Sequence, residues 1–251
     1  MKRALAVLSI LFLAGCFEVE QTIDIERNLS GKAGFHLGVD LEPMVVVMAR
    51  FAREMEGKTG PMSAEELAKA KAEFRKSSSS VKEKVSRADI EAELPEGVTL
   101  LDYAITEREF GVVTDLRFGF ERLTQLVGVK LPSKGKKPTE RNVIDSPFEG
   151  LEVSESGDTI TIRSKPQNPA ESVKAEAGDV DLDEATKQIV REAFAKLRVS
   201  YRITAPFEVV SHNATRREGK TLVWEYDMRT LEEIMKSKSV DAAQLRVTYR
   251  R

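Results

Sequence analysis

CFEVEQTIDIERNLSGKAGFHLGVD, residues 16–40, decides the fold. Phe17, Val19, Ile23 and Ile25 fall on odd positions, while Glu18, Glu20, Asp24 and Glu26 fall on even ones. A period of two puts the apolar set on one side of a pleated strand and the carboxylates on the other, so this is a half-buried strand. Asn28, Leu29, Ser30 and Gly31 carry turn chemistry. Ala33, Phe35, Leu37 and Val39 then resume the alternation, and the whole reads as a β-hairpin.

Downstream the period changes. Leu41, Met44, Val45, Met48, Phe51, Ala52 and Met55 recur at steps of three and four, which predicts a helix over 41–56. Val46 and Val47 widen its apolar side. A polar break from Gly57 to Met62 follows, and Ser63 with Glu66 forms a capping box for a second, mostly charged helix over 64–76. Residues 81–92 are weakly helical. Strands return at Val98–Glu107 and Val112–Phe120, separated by a charged turn at Gly111, with Val112, Leu116, Phe118 and Phe120 on one side. Residues 121–127 form a short helix. A further hairpin spans Leu151–Ser154 and Thr159–Arg163. Leu182–Leu197 is amphipathic, Val199–Thr204 and Thr221–Tyr226 are strands, Leu231–Met235 is a short helix, and Leu245–Tyr249 is a last strand. Hairpins with helices between them imply an α+β fold. We expect a mostly antiparallel β-sheet with packed amphipathic helices, in one domain over 16–251 with a helical insertion at 41–92.

Upstream of the hairpin, Lys2 and Arg3 precede an apolar run from Ala4 to Ala14. A spanning helix needs about twenty such residues, so the run is the core of an export signal over 1–15 that is removed on maturation. It ends Leu13-Ala14-Gly15-Cys16, which resembles a bacterial lipobox. The resemblance implies cleavage before Cys16 and diacylglycerol on its sulfur. Each buried methylene contributes about 0.8 kcal/mol, so two or three acyl chains hold firmly where one is marginal. Cys16 is the sole cysteine, which leaves no thiol for a disulfide or a cysteine zinc site. The residues place the protein in a cell envelope, anchored through Cys16. Phe17 follows where an aspartate would favour retention in the inner membrane, so a two-membrane cell would place it in the outer one. Almost no spacer separates Cys16 from the first strand, and the domain is expected to sit against the bilayer.

Among 251 residues, 41% are apolar and 32% charged, which suits a folded core rather than wholesale disorder. A net charge of -2 from 39 basic and 41 acidic residues gives no reason to expect nucleic acid. Two histidines argue against a multi-histidine metal centre, and no cofactor is called for. Asp179, Asp181 and Asp183 have the spacing that opens a calcium loop, but Glu184 and Val190 stand where its glycine and glutamate belong. Ser211, His212 and Asn213 are adjacent, and adjacent side chains do not converge as a catalytic triad does. His36 reads as an exposed strand residue. No catalytic residue is assigned, and the chain is read as a non-enzyme.

Near the end, Pro206, Val209, Val210, Asn213, Gly219, Val223 and Trp224 fall within APFEVVSHNATRREGKTLVWEYDM. With the lipobox and the opening hairpin, this pattern resembles the LppM-like family of bacterial lipoproteins. The resemblance implies an exported α+β domain with lipid or envelope interaction, and no catalytic residues to carry over. Read directly, Pro206 ends a strand, Asn213 makes an Asx-type turn, Gly219 turns a hairpin and Trp224 plugs the core.

Two sets of residues are candidates for binding. Met44 and Met48 on the first helix, with Trp224, would line a closed apolar pocket for a lipid or other hydrophobic envelope molecule. Lys130, Lys134, Lys136 and Lys137 would touch an anionic surface. The alternative is a structural or assembly protein presenting an interaction surface at the membrane. Its protein partners cannot be named from the residues.

Overall fold

The computed structural model describes residues 16–58, 60–78, 85–131, 147–148, 150–164, 188, 195, 197–237 and 244–251. The export signal, most of the Leu182–Leu197 helix, the aspartates from Asp179 to Asp183, and Lys134, Lys136 and Lys137 lie outside them. The opening hairpin forms as expected. Strand β1 (Cys16–Ile25) pairs antiparallel with β2 (Gly31–Asp40), in a register from Cys16 opposite Asp40 to Ile25 opposite Gly31. Leu29 adopts a φ of 67° at the turn, where the Glu26 amide donates to Ser30 O at 2.8 Å.

Three helices separate β2 from the next strand: α1 (Glu42–Met55), α2 (Ala64–Ser78) and α3 (Arg87–Glu93). The capping box of α2 is present, with the Glu66 amide donating to Ser63 Oγ at 3.2 Å and the Ser63 amide to Glu66 Oε2 at 2.8 Å. Then come β3 (Val98–Arg108), β4 (Gly111–Phe120) and a 3-10 turn at Leu123–Gly128. The hairpin β5 (Leu151–Ser156) and β6 (Thr159–Ser164) follows. The chain ends with β7 (Arg198–Thr204), β8 (Glu208–His212), β9 (Arg216–Glu218), β10 (Thr221–Asp227), α4 (Met228–Ser237) and β11 (Arg246–Arg250).

The fold is α+β, with two sheets rather than one. Seven strands run in the order β3-β4-β2-β1-β7-β10-β9, and four in the order β5-β6-β11-β8. Pairing is antiparallel among the described strands except between β1 and β7, which run parallel. Strands β8 and β9 were not expected from the sequence. Four of the five side chains of β8 and all three of β9 are exposed, so neither has the alternation that marks a strand. Their pairing with β11 and β10 makes them strands instead.

One apolar core lies between the sheets. Ile23, Ile25, Phe35, Leu116, Phe118 and Trp224 come from the larger sheet, and Ile160, Ile162, Val247 and Tyr249 from the smaller. Phe148 meets Phe118 edge to face, with ring centroids 6.0 Å apart. Trp224 is only 1% exposed, so its indole N–H needs a partner. It donates to Asn213 Oδ1 at 2.9 Å, and the Arg246 amide donates to the same oxygen at 2.8 Å. Asn213 Nδ2 in turn donates to Gln244 O at 2.5 Å. Asn213 therefore does not close the local Asx turn expected of it. It stands where the chain passes from the smaller sheet (β8) to the larger (β9), and its amide ties Trp224 of one to Arg246 of the other.

Further buried residues lie outside that core. Met44, Val45 and Val47 of α1 are buried, as are Phe110 and Val113. Phe110, in the turn between β3 and β4, holds the helices to the sheet. Its carbonyl accepts from the Leu41 amide at 2.7 Å, its ring lies 6.4 Å from that of Phe74, and Lys71 Nζ and the Arg75 guanidinium sit over it at 5.8 and 5.5 Å.

Asn213→Ala leaves the indole N–H of Trp224 and the Arg246 amide without their acceptor and should cost about 1–3 kcal/mol, whereas Ser211→Ala, at an exposed position of β8, should cost much less. Thermal denaturation of the two variants checks this, and equal losses would count against the junction. A Cβ on Gly111 would lie 1.8 Å from Val39 O, while one on Gly38 meets nothing closer than 3.5 Å. Gly111→Ala should then destabilise by about 1–3 kcal/mol and Gly38→Ala by much less, read from urea midpoints. Burial, and then Tyr201 beside it, pushes Tyr226 up to about 12, and burial also raises Tyr201 and Tyr249. An unfolded phenol ionises near pH 10, so above that pH the unfolded chain binds fewer protons than the folded one. Stability should be flat below pH 10 with respect to these groups and fall as pH rises toward 12. In a Tyr103→Phe background, which leaves only these three tyrosines, phenolate absorbance should then appear together with loss of the β-sheet dichroism, and its growth over an intact sheet would refute the assignment.

Candidate functional site

The α1–α2 hairpin is shaped by its connection. Gly57 takes a φ of 75° just past the end of α1, and the Lys58 amide donates back to Arg53 O at 3.1 Å, which closes the helix with a left-handed cap. Gly60, with a φ of 95°, leads into Pro61 and the Ser63 cap of α2. A Cβ added at either glycine would meet nothing within 4 Å. The turn thus stands away from the helices and leaves an open cleft of about 650 Å³, within the range of small-molecule sites.

The cleft has two kinds of wall. Val46, Met62 and Leu67 supply apolar surface, and Arg50, Arg53 and Lys58 supply positive charge. No acidic residue lines it among the described residues. Arg53 is held in place, with Nη1 donating to Pro61 O at 2.8 Å and to Glu66 Oε2 at 2.9 Å. The Ser63 amide bonds, opposed by desolvation and helped by Arg53, lower the Glu66 carboxyl below its usual range. Lys58 pairs with Glu56 at 2.9 Å. Such a surface can take a chain against its apolar wall and a carboxylate or phosphate against its cations.

The expected site residues do not come together. Met44 is buried and Met48 half-buried on α1, and neither lines the cleft, which takes Val46, Arg50 and Arg53 from the same helix. Trp224 belongs to the inter-sheet core, a set that does not include Met44. A void there, bordered by Ile23, Leu151, Tyr201, Ile203 and Leu245, has no room for a water molecule. Trp224 is thus the core plug that its sequence context suggested. Lys130 is exposed after the 3-10 turn. Cys16 begins β1 itself, with no residue between it and the sheet. The cleft cations were missed in the sequence. Their signal is Arg50 and Arg53 one turn apart before a Gly57–Pro61 break.

The residues with nucleophile-like types have structural partners. His212 Nδ1 accepts from the Ala214 amide at 3.1 Å, and Asn213 serves the sheet junction. His36, half-buried rather than fully exposed, meets Asp115 Oδ1 across β2 and β4 at 2.7 Å. Among the described residues no group of three His, Cys, Asp or Glu could hold a metal ion, and no helix is long and apolar enough to cross a membrane.

No family model matches the chain, and no curated protein matches it. Among solved structures, it is similar to the NMR structure of the folded domain of the Mycobacterium tuberculosis LppM protein. The two share 8% sequence identity with a TM-score of 0.42, over 93% of this chain and 88% of that one.

Proposed function

We propose that this chain is a lipid-anchored, non-enzymatic protein of the cell envelope that holds an amphiphile with an anionic head in the α1–α2 cleft. The anchor is Cys16, with the outer membrane as its home in a two-membrane cell. The mixed lining of the cleft carries the ligand reading. A purely apolar ligand would leave Arg50, Arg53 and Lys58 poorly solvated, and a purely ionic one would leave Val46, Met62 and Leu67 unused. The filled core argues for the same place, because the space between the sheets leaves no room for an acyl chain beside Tyr201 and Ile203. The cleft also belongs to the anchored end of the fold. Helix α1 starts just after Asp40, the residue paired with Cys16.

Calorimetry below the micelle threshold tests the reading, with dodecyl phosphate and the zwitterionic dodecylphosphocholine as probes. Saturable binding of dodecyl phosphate, at least tenfold weaker in Arg50→Gln/Lys58→Gln, is expected; tenfold corresponds to about 1.4 kcal/mol. Val46→Asp should weaken it as well. Equal binding of both probes, or binding indifferent to these substitutions, would remove the cleft from consideration.

A further inference from the structure

Strand β3 is an edge of the seven-stranded sheet, paired with β4 on one side only among the described strands. Its first part is covered. Arg87 Nη2 donates to Leu100 O at 2.7 Å, and the Tyr103 hydroxyl donates to Val85 O. From Ala104 to Arg108 every side chain is exposed, as is Asp102, and Ile105 keeps 39% of its surface in water. A long exposed edge is a template for another strand. Many proteins blunt such edges with charge, so the useful question is which incoming strand these charges admit.

We propose that the strand admitted is β3 of a second copy, antiparallel, with Ile105 opposite Ile105 of its partner. Directly opposed residues of an antiparallel pair must project to the same side, so only registers centred on a residue are open. Centred on Ile105, the register places Asp102 of each chain opposite Arg108 of the other, twice by symmetry. Asp102 already stands opposite Arg117 of β4 within its own chain, so it would lie between two guanidinium groups in one row across the sheet. A shift of one residue toward the N-terminus opposes Asp102 to Thr106, and a shift toward the C-terminus opposes it to Phe110. Both lose the two ion pairs. On the other side the two Ile105 side chains would cover each other, where each alone is wet. Opposite-charge and apolar cross-strand pairs each stabilise a sheet by a few tenths to about 1 kcal/mol. Such an edge interface is modest.

Cross-linking of the detergent-solubilised full chain tests this, because Cys16 is the only natural cysteine. Directly opposed residues lie within disulfide reach. Ile105→Cys should give a disulfide-linked dimer on mild oxidation. Glu107→Cys, whose partner is offset by four residues, should give at least tenfold less. In the Ile105→Cys background, Asp102→Arg or Arg108→Asp alone should cut the dimer at least tenfold, and the two together should restore it. Circular dichroism of each purified variant separates loss of dimer from loss of fold. A folded Ile105→Cys chain that stays monomeric, or one that cross-links regardless of the charge exchange, would overturn the proposal.

Discussion

The constraint on which the structure depends is the register of β1. It lies near the middle of the seven-stranded sheet, antiparallel to β2 on one side and parallel to β7 on the other. Ile23 and Ile25 are buried because their parity faces the smaller sheet, and Ile203 and Leu222 fall in line with Ile23 across β7 and β10. A slip of one residue would turn Asp24 and Glu20 into the core. The same strand begins at Cys16, so no hinge separates the proposed acyl anchor from the central strand.

How legible each element was follows from what buries it. Strands β1, β2, β4, β5, β6, β10 and β11 each turn a face to the core, and alternation or hairpin spacing revealed them. β8 and β9 are exposed, and their sequences look like loops because backbone pairing alone makes them strands. The division into two sheets was equally hidden, since periodicity reports a buried face and not the neighbour covering it. Asn213 shows the same limit at one residue. Its type suggested a local turn, while its partners Trp224, Gln244 and Arg246 are brought close only by the completed fold.

The candidate site was less legible than the fold. The methionines of α1 suggested a ligand wall, and Met44 is buried, but it lies outside the inter-sheet core that holds Trp224. The cleft uses the next residues around the helix. Arg50 and Arg53 look in the sequence like the solvated side of an amphipathic helix, and only the path of the Gly57–Pro61 turn gives that side a facing wall. A polar helical face becomes a candidate site through the turn residues set opposite it, Gly60, Pro61 and Met62.

The two sheets leave different surfaces for different work. The inter-sheet core is filled and tied shut at Asn213, which suits a rigid frame more than a container. The two surfaces proposed for binding lie on what the frame leaves exposed, namely the helical hairpin inserted between β2 and β3 and the edge formed by β3. Both are joined at Phe110, whose carbonyl bonds to the start of α1 and whose turn closes β3 onto β4. A strand added at β3 would therefore rest on the same turn that seats the helices.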